Sequence, residues 1–253
     1  MMLKLLSYPR SILSGILCLV WTFLWSLFTV ISAYLFKATS PAYGDFISRH
    51  WGRGMLWLFN IHLKVKGLEN LNSENGIFVF NHSSHFDIPI LFVALKQKSI
   101  RFGAKAELFR IPIFGKAMSR IGALKIHRAQ RDKVLELYKN SLKNLDIGLN
   151  YILAPEGTRQ ESGELGEFKM GPFIMAISGQ CPIYPVVIKG AYKIMPKHSI
   201  FPSWGLWSSR VEVHVLPPIL TKGKSLEDKI AIKEEVRKKM LDLLKVSSGP
   251  LDG

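Results

Sequence analysis

Several things are scarce in this chain, and each scarcity narrows what it can be. Among 253 residues there are two cysteines. Cys18 lies inside an apolar run and Cys181 opens an apolar strand-like segment, so the two could not readily meet in a disulfide. A disulfide-stapled secreted domain is therefore excluded, and a reduced setting with the globular part facing the cytosol is expected. Cys181 has no cationic neighbour in sequence and reads as a small buried hydrophobe rather than a nucleophile. No G-x-S-x-G is present, which removes the serine elbow of a covalent mechanism. Gly52-Arg53-Gly54 starts a dinucleotide fingerprint, but Trp57 holds its third glycine position and no strand precedes it. Gly223-Lys224-Ser225 ends like a P-loop, yet Pro218 stands where its first glycine belongs. There is no internal repeat.

Negative charge is also short. Asp and Glu number 19 against 34 Lys and Arg, a formal net charge of +15, so the favoured partner is rich in phosphate. Nucleic acid and anionic lipid both meet that description. The N-terminus separates them: from Ser11 to Phe36, 26 residues carry no charge at all, with Lys4 and Arg10 before and Lys37 after. About 20 apolar residues cross a bilayer core, so this run is long enough to do so with some tilt. A signal peptide would have an apolar region of about 7–15 residues ending at small residues, whereas this run ends in Tyr34-Leu35-Phe36-Lys37. It reads as a retained anchor. Pro41 to Ile61 predicts a second helix, with Arg49, His50 and Arg53 among Phe46, Trp51, Met55 and Leu58. That mixture suits either an interfacial segment or an amphipathic helix packed on the globular part. Membrane lipid, not nucleic acid, is the expected macromolecular partner. Basic residues on both flanks leave the orientation open.

The remainder alternates. Candidate strands are His62 to Lys66, Ile77 to Phe80, Ile100 to Gly103, Ala123 to Ile126, Tyr151 to Ala154, Ile183 to Ile188 and Val211 to Leu216. Helix-period segments lie between them, the clearest being Gln130 to Leu145, with Val134, Leu137, Tyr138, Leu142 and Leu145 on one stripe. A final helix over about Leu226 to Lys245 follows Ser225 as its N-cap. This alternation predicts an α/β fold: a largely parallel central sheet of about seven strands flanked by helices, behind an N-terminal membrane-associated helical pair. The expected divisions are 1–60 for the anchoring helices, 61–246 for the α/β domain and 247–253 for a disordered tail.

Within that fold, Asn81-His82-Ser83-Ser84-His85-Phe86-Asp87 is the most informative segment. Five steps along a helix rotate two side chains by roughly 140°, so His82 and Asp87 can meet only across a turn. The apolar strand Ile77 to Phe80 before them and the helix start Asp87-Ile88-Pro89 after them supply one. A carboxylate holding one imidazole nitrogen leaves the other free to take a proton, which is half of a hydrolase triad with a substrate hydroxyl in place of the nucleophile. A plain loop closure by the same two residues is the alternative on this segment alone. Counting His85 as a third ligand would make a metal site, but no further His or carboxylate cluster lies nearby and none is expected. Pro155-Glu156-Gly157-Thr158-Arg159 also follows a predicted strand and offers a close-approach glycine, a hydroxyl donor and a guanidinium suited to phosphate.

These segments resemble the 1-acylglycerol-3-phosphate, or lysophosphatidate, acyltransferase family of the glycerophospholipid acyltransferases. Four ordered blocks carry the resemblance: Asn81 to Asp87; Lys105-Ala106-Glu107-Leu108-Phe109-Arg110-Ile111-Pro112 with Gly115 and Gly122 to Arg128; Pro155 to Arg159 with Phe168-Lys169-Met170-Gly171; and Pro182-Ile183-Tyr184-Pro185-Val186-Val187. The chain departs from the family at Ala154, commonly Phe, at Lys125, commonly aromatic, at His127, commonly acidic, and at Met170, commonly Lys. The resemblance implies a membrane-bound O-acyltransferase that moves a fatty acyl chain from a thioester to the sn-2 hydroxyl of lysophosphatidic acid, forming phosphatidic acid. His82 would be the general base and Asp87 its orienting partner. Lys105, Arg128, Glu156, Gly157, Thr158 and Arg159 would form the substrate site, with Glu156 shaping it and Arg159 binding the acceptor phosphate. No cofactor or metal is expected; the co-substrate would be an acyl-CoA or acyl-carrier-protein thioester, the latter making the carrier protein a partner. Two alternatives stand beside this reading: another lysolipid as acceptor, or a basic membrane-docked lipid- or nucleic-acid-binding module without chemistry.

Overall fold

A computed structural model describes residues 2–36, 40–127, 129–161, 163–199 and 201–246. The expected tail over 247–253 lies outside the described residues. All seven expected strands form, within about two residues of their predicted bounds: β1 (Ile61–Lys66), β2 (Ile77–Phe80), β3 (Ser99–Lys105), β4 (Leu124–Ile126), β5 (Leu149–Leu153), β6 (Ile183–Lys189) and β7 (Ser209–Val215). They make one sheet in the order β1-β7-β6-β2-β5-β3-β4. The neighbours from β6 to β4 pair in parallel, while β7 runs antiparallel to β6 and parallel to β1. The first and last strands therefore begin at the edge where the central strands end.

Helices cover both faces, as the apolar character of the central strands requires. α3 (Asp87–Ala94), α2 (Pro41–Leu58) and α4 (Phe114–Arg120) lie on one side, α5 (Arg131–Leu142), α6 (Gly171–Ser178) and α7 (Lys229–Val246) on the other. Along β2, Phe78 and Phe80 enter the first core with Ile90 and Tyr184, while Ile77 and Val79 enter the second with Phe173 and Val236. This is the period-two alternation of a strand buried on both faces. Before α7, Ser225 closes a capping box with Asp228 across a short 3-10 turn, as its N-cap role requires.

α1 (Met2–Leu35) starts earlier than its uncharged run, taking in Lys4, Pro9 and Arg10. It lies along the globular part. Its inner face is a seam of small polar residues, with Ser7, Ser11, Ser14, Ser26, Thr29 and Ser32 all buried. Spacings of three and four within Ser7–Ser14 and of three within Ser26–Ser32 put them on one stripe. Several hydroxyls are satisfied within the helix: Ser26 donates to Thr22 O (2.7 Å) and Thr29 to Trp25 O (2.7 Å). Small side chains let α1 approach α2 closely. The Trp21 indole donates to Trp51 O (3.1 Å) and sits where a Cβ on Gly54 would lie 2.3 Å from its ring, so glycine is required there. The outer face carries Leu13, Ile16, Leu19, Phe23, Leu24 and Phe28, all exposed.

α2 ends at Leu58 rather than Ile61. Asn60 adopts φ 50°, and Ile61 is already paired to Ser209 as the first residue of β1. The other end of α2 is tied to the sheet by a buried ion pair. Arg101 of β3, 3 % exposed, donates Nη1 to Asp45 Oδ1 (2.7 Å) and Nη2 to Pro41 O (2.8 Å), while Ser99 and Arg49 bond the second Asp45 oxygen. A buried pair adds little over apolar packing, but removing one partner strands the other charge. Asp45→Ala should therefore lower stability by about 3–5 kcal/mol, read from the unfolding midpoint of the detergent-solubilised chain. Replacing both residues together, Asp45→Leu with Arg101→Met, should recover most of that loss, and an unchanged midpoint in the single variant would deny the pair any role.

Candidate active site

β2 and β5 are adjacent and parallel, with Ile77 opposite Tyr151 and Val79 opposite Leu153, so the loops that follow them leave the same edge side by side. β3 and β6 end at that edge too. In open α/β sheets the carboxyl edge is where ligands gather. His82 follows β2 directly, and Asp87 is the first residue of α3.

The two meet across the turn as their spacing predicts. Asp87 Oδ2 lies 2.8 Å from His82 Nδ1 and also accepts the backbone N–H groups of Ser83 (2.8 Å) and Ser84 (2.9 Å). The carboxylate has no solvent exposure, whereas the imidazole side chain keeps 18 %. An acceptor-only carboxylate facing Nδ1 selects the tautomer with its proton there, which leaves Nε2 as the proton acceptor. Asp87 Oδ1, equally buried, has no hydrogen-bond partner among the described residues.

Glu156 joins the second loop to the first. Its Oε1 accepts His82 N–H (3.0 Å) and its Oε2 accepts Gly166 N–H (3.3 Å), while Gln160 N–H donates to His82 O (2.8 Å). Both backbone groups of His82 are thus held by the 156–160 segment. Burial pushes the Glu156 carboxyl up to about 7, against the opposing pull of the two backbone N–H groups and the Gln160 side chain. Gly157 takes φ 72° and lies under Lys169, whose Nζ would be 3.0 Å from a Cβ at that position. The left-handed backbone asks for glycine, while the mobile end of Lys169 could move aside for a Cβ.

Arg159 reaches toward the dyad. Its Nη2 donates to Lys197 O (3.2 Å), its Nη1 is buried without a partner among the described residues, and its charge acts on both His85 and Asp87. Lys105, at the end of β3, is exposed and acts on His85 in the same way. Thr158 is exposed on the turn. Arg128 lies outside the described residues. Cys181 is buried, away from this edge at the start of β6, and burial pushes its thiol up to about 12, as suits a packing residue. Among the described residues no three His, Cys, Asp or Glu side chains converge as metal ligands would. A polar depression of about 530 Å³ bounded by Asn72, Asn75, Gln97 and Lys98 opens at the amino ends of β2, β3 and β5, the edge opposite His82 and Asp87. Between α1, α2 and α3 an apolar cavity of about 50 Å³ lined by Trp25, Trp51, Phe92 and Phe102 has room for only a few water-sized groups.

Gly166 and Lys197 act here through their backbones, and so does Gln160 in its bond to His82 O. No side-chain pattern marks such contacts, so the sequence gives no sign of them.

Fold and site together define an α/β protein with a His–Asp pair and, among the described residues, an unpartnered Arg159 Nη1 at the carboxyl edge of its sheet. The acyltransferase family profile matches residues 62–189, just over half of the chain. The chain belongs to the acyltransferase family. It is 34 % identical over 167 residues to the chloroplastic 1-acyl-sn-glycerol-3-phosphate acyltransferase of Arabidopsis thaliana, covering 65 % of this chain and 46 % of that protein. It is 31 % identical over 196 residues to the Saccharomyces cerevisiae 1-acyl-sn-glycerol-3-phosphate acyltransferase, covering 76 % and 62 %. The match thus spans about half to three-fifths of the length of these relatives. The crystal structure of the 1-acyl-sn-glycerophosphate (LPA) acyltransferase PlsC from Thermotoga maritima shares the fold, with a TM-score of 0.71 at 24 % identity over 95 % of this chain and 100 % of that one.

The Glu156 environment has a consequence for stability. A carboxyl raised from an ordinary 4.5 to about 7 keeps its proton in the folded state over a range where the unfolded chain releases it. Its contribution is complete below pH 4.5 and is lost as pH rises through about 7. Glu156→Gln has no such proton, so its unfolding midpoint should vary less over this range than that of the parent; equal slopes would mean that Glu156 is already ionised.

Proposed function

We propose that this chain is a membrane-docked 1-acylglycerol-3-phosphate O-acyltransferase, moving a fatty acyl group from an acyl-CoA or acyl-carrier-protein thioester to the sn-2 hydroxyl of lysophosphatidic acid. The observation that carries the reading is the His82 Nδ1–Asp87 contact of 2.8 Å beside Arg159, whose buried Nη1 lacks a partner among the described residues. The relatives, named as 1-acyl-sn-glycerol-3-phosphate acyltransferases, agree with it.

His82 Nε2 takes the proton of the acceptor hydroxyl as its oxygen attacks the thioester carbonyl. The tetrahedral intermediate collapses, the C–S bond breaks, and the imidazolium returns its proton to the departing thiolate. Asp87 holds the ring in the required tautomer and stabilises the imidazolium. Arg159 Nη1 takes a phosphate oxygen of the acceptor, with Lys105 and Lys169 adding positive charge at the rim and Arg128 and Thr158 as further donors. Glu156 and Gly157 shape the loop that carries them. The acyl thioester is a co-substrate, and no resident cofactor is assigned.

Membrane docking rests on α1. From Lys4 to Leu35 only 22 % of its most apolar stretch is buried, and the remaining surface is large and apolar. Its contacts run from Arg10 and Ser11 near the start of β7 to Ser32 and Tyr43 near the start of β3, opposite edges of the sheet. A helix fastened along the whole domain cannot stand upright in a bilayer without carrying the domain in, so α1 lies along the membrane surface with its outer face in the acyl region. Both cysteines are free, as suits a cytosol-facing domain.

Purified protein given lysophosphatidic acid and an acyl thioester, with free thiol followed over time, should show turnover. His82→Ala should reduce kcat by at least about 10²-fold, and near-normal turnover would remove the base assignment. Arg159→Ala should raise the acceptor KM about 10- to 100-fold, the loss of a charge-assisted contact worth about 1.5–3 kcal/mol; an unchanged KM would remove Arg159 from the phosphate site.

A further inference from the structure

Three of the six tryptophans, Trp21, Trp25 and Trp51, pack in the seam between α1 and α2. The other three are exposed, Trp57 by 80 %, Trp204 by 49 % and Trp207 by 43 %, and all three lie around the N-terminal third of α1. Trp57 is at the end of α2, whose next carbonyl, Leu58 O, accepts from Ser14 (3.0 Å). Trp204 stands edge-on to Tyr8 at 5.1 Å and stacks with the half-exposed Phe201 at 5.3 Å. Trp207 lies 5.0 Å beneath the Arg10 guanidinium, which also donates to its carbonyl, and Ser11 Oγ donates to Ser203 O (2.7 Å). Arg10 is therefore spent on holding this loop to α1.

We infer that the segment Phe201–Trp207, together with Trp57, is a second membrane contact, an aromatic rim that inserts at the headgroup level of an anionic bilayer and positions the acceptor site over it. The inference rests on the membrane-docked reading above. Three observations select a bilayer as the occupant. The rim is continuous with the outer apolar face of α1 through Tyr8, so both would meet one surface. Tryptophan, apolar over most of its ring with one polar N–H, is the residue that collects at such interfaces. The chain's net charge of +15 favours anionic lipid. The rim also lies on the catalytic side of the sheet, because β7 begins two residues after Trp207, beyond the carboxyl end of β6, and the same loop reaches the site: Met195 O accepts from Ser84 Oγ (3.4 Å) and Lys197 O from Arg159 Nη2 (3.2 Å).

The test uses the full chain and substrate-free vesicles of equal parts phosphatidylglycerol and phosphatidylcholine carrying brominated acyl chains, which quench only tryptophans that reach them. Trp204→Phe with Trp207→Phe should remove a substantial part of the quenchable emission. Trp204→Ser with Trp207→Ser should weaken vesicle binding about tenfold or more and raise the apparent KM for vesicle-borne lysophosphatidic acid more than that for a short-chain, water-soluble acceptor. Unchanged quenching in the phenylalanine pair overturns the inference, whether or not the serine pair folds; so does unchanged binding of a folded serine pair. Quenching as expected in a protein that transfers no acyl group would leave the rim standing and remove the proposed activity instead.

Discussion

One oxygen holds the site together. Asp87 Oδ2 accepts from the His82 ring and from two successive backbone N–H groups, in a carboxylate without solvent exposure. A bare carboxylate in such a place would be costly. Three donors and its position at the first residue of α3 offset that cost, because the N-terminus of a helix favours negative charge. The contact that closes the β2–α3 turn is also the one that aims the imidazole, so the plain loop-closing role and the chemical role of this pair are not alternatives. The turn is closed by the same atom that gives His82 its direction.

The remaining freedom of His82 is removed from the neighbouring strand. Its N–H goes to Glu156 and its carbonyl to Gln160 N–H, so side chain and backbone are fixed by two loops that approach only because β2 and β5 are adjacent and parallel. Preorganisation of this kind is what general-base catalysis needs, since a misplacement of about 1 Å costs on the order of 10²-fold in rate. The burial that raises Glu156 to about 7 follows from stitching the loops with an ionisable group in a dry place.

Much of this was legible in the sequence. Apolar β-branched runs marked all seven strands, and the five-residue spacing of His82 and Asp87 forced a turn between a strand and a helix. What depended on distant partners was not legible. That β7 runs against β6 follows from the long path between Lys189 and Ser209, which no local pattern encodes. The Asp45–Arg101 pair joins residues 56 positions apart, and each looks alone like an ordinary charge. In α1 the serines and threonines were plainly present, yet measuring the run by its lack of charge hid their three-four spacing. That spacing turns an apolar segment into a helix with a small polar inner face and a greasy outer one.

That inversion decides how the helical pair relates to the chemistry. A helix serving only as a tether needs apolar length and nothing more. α1 instead spends serine hydroxyls on Leu58 O and Ser203 O, and α2 is fastened to β3 through Arg101. The first of these bonds ties α1 to α2, and the other two join the pair to the sheet domain, one near the start of β7 and one on β3. The outer face of α1 is therefore held at a set angle to the carboxyl edge, and His82 stands at a set height relative to it. Under the proposed reaction, whose acceptor would be confined to the membrane plane, fixing His82 relative to that plane would do part of the work that a binding pocket does for a soluble substrate, because such a substrate arrives already oriented and loses less freedom on capture.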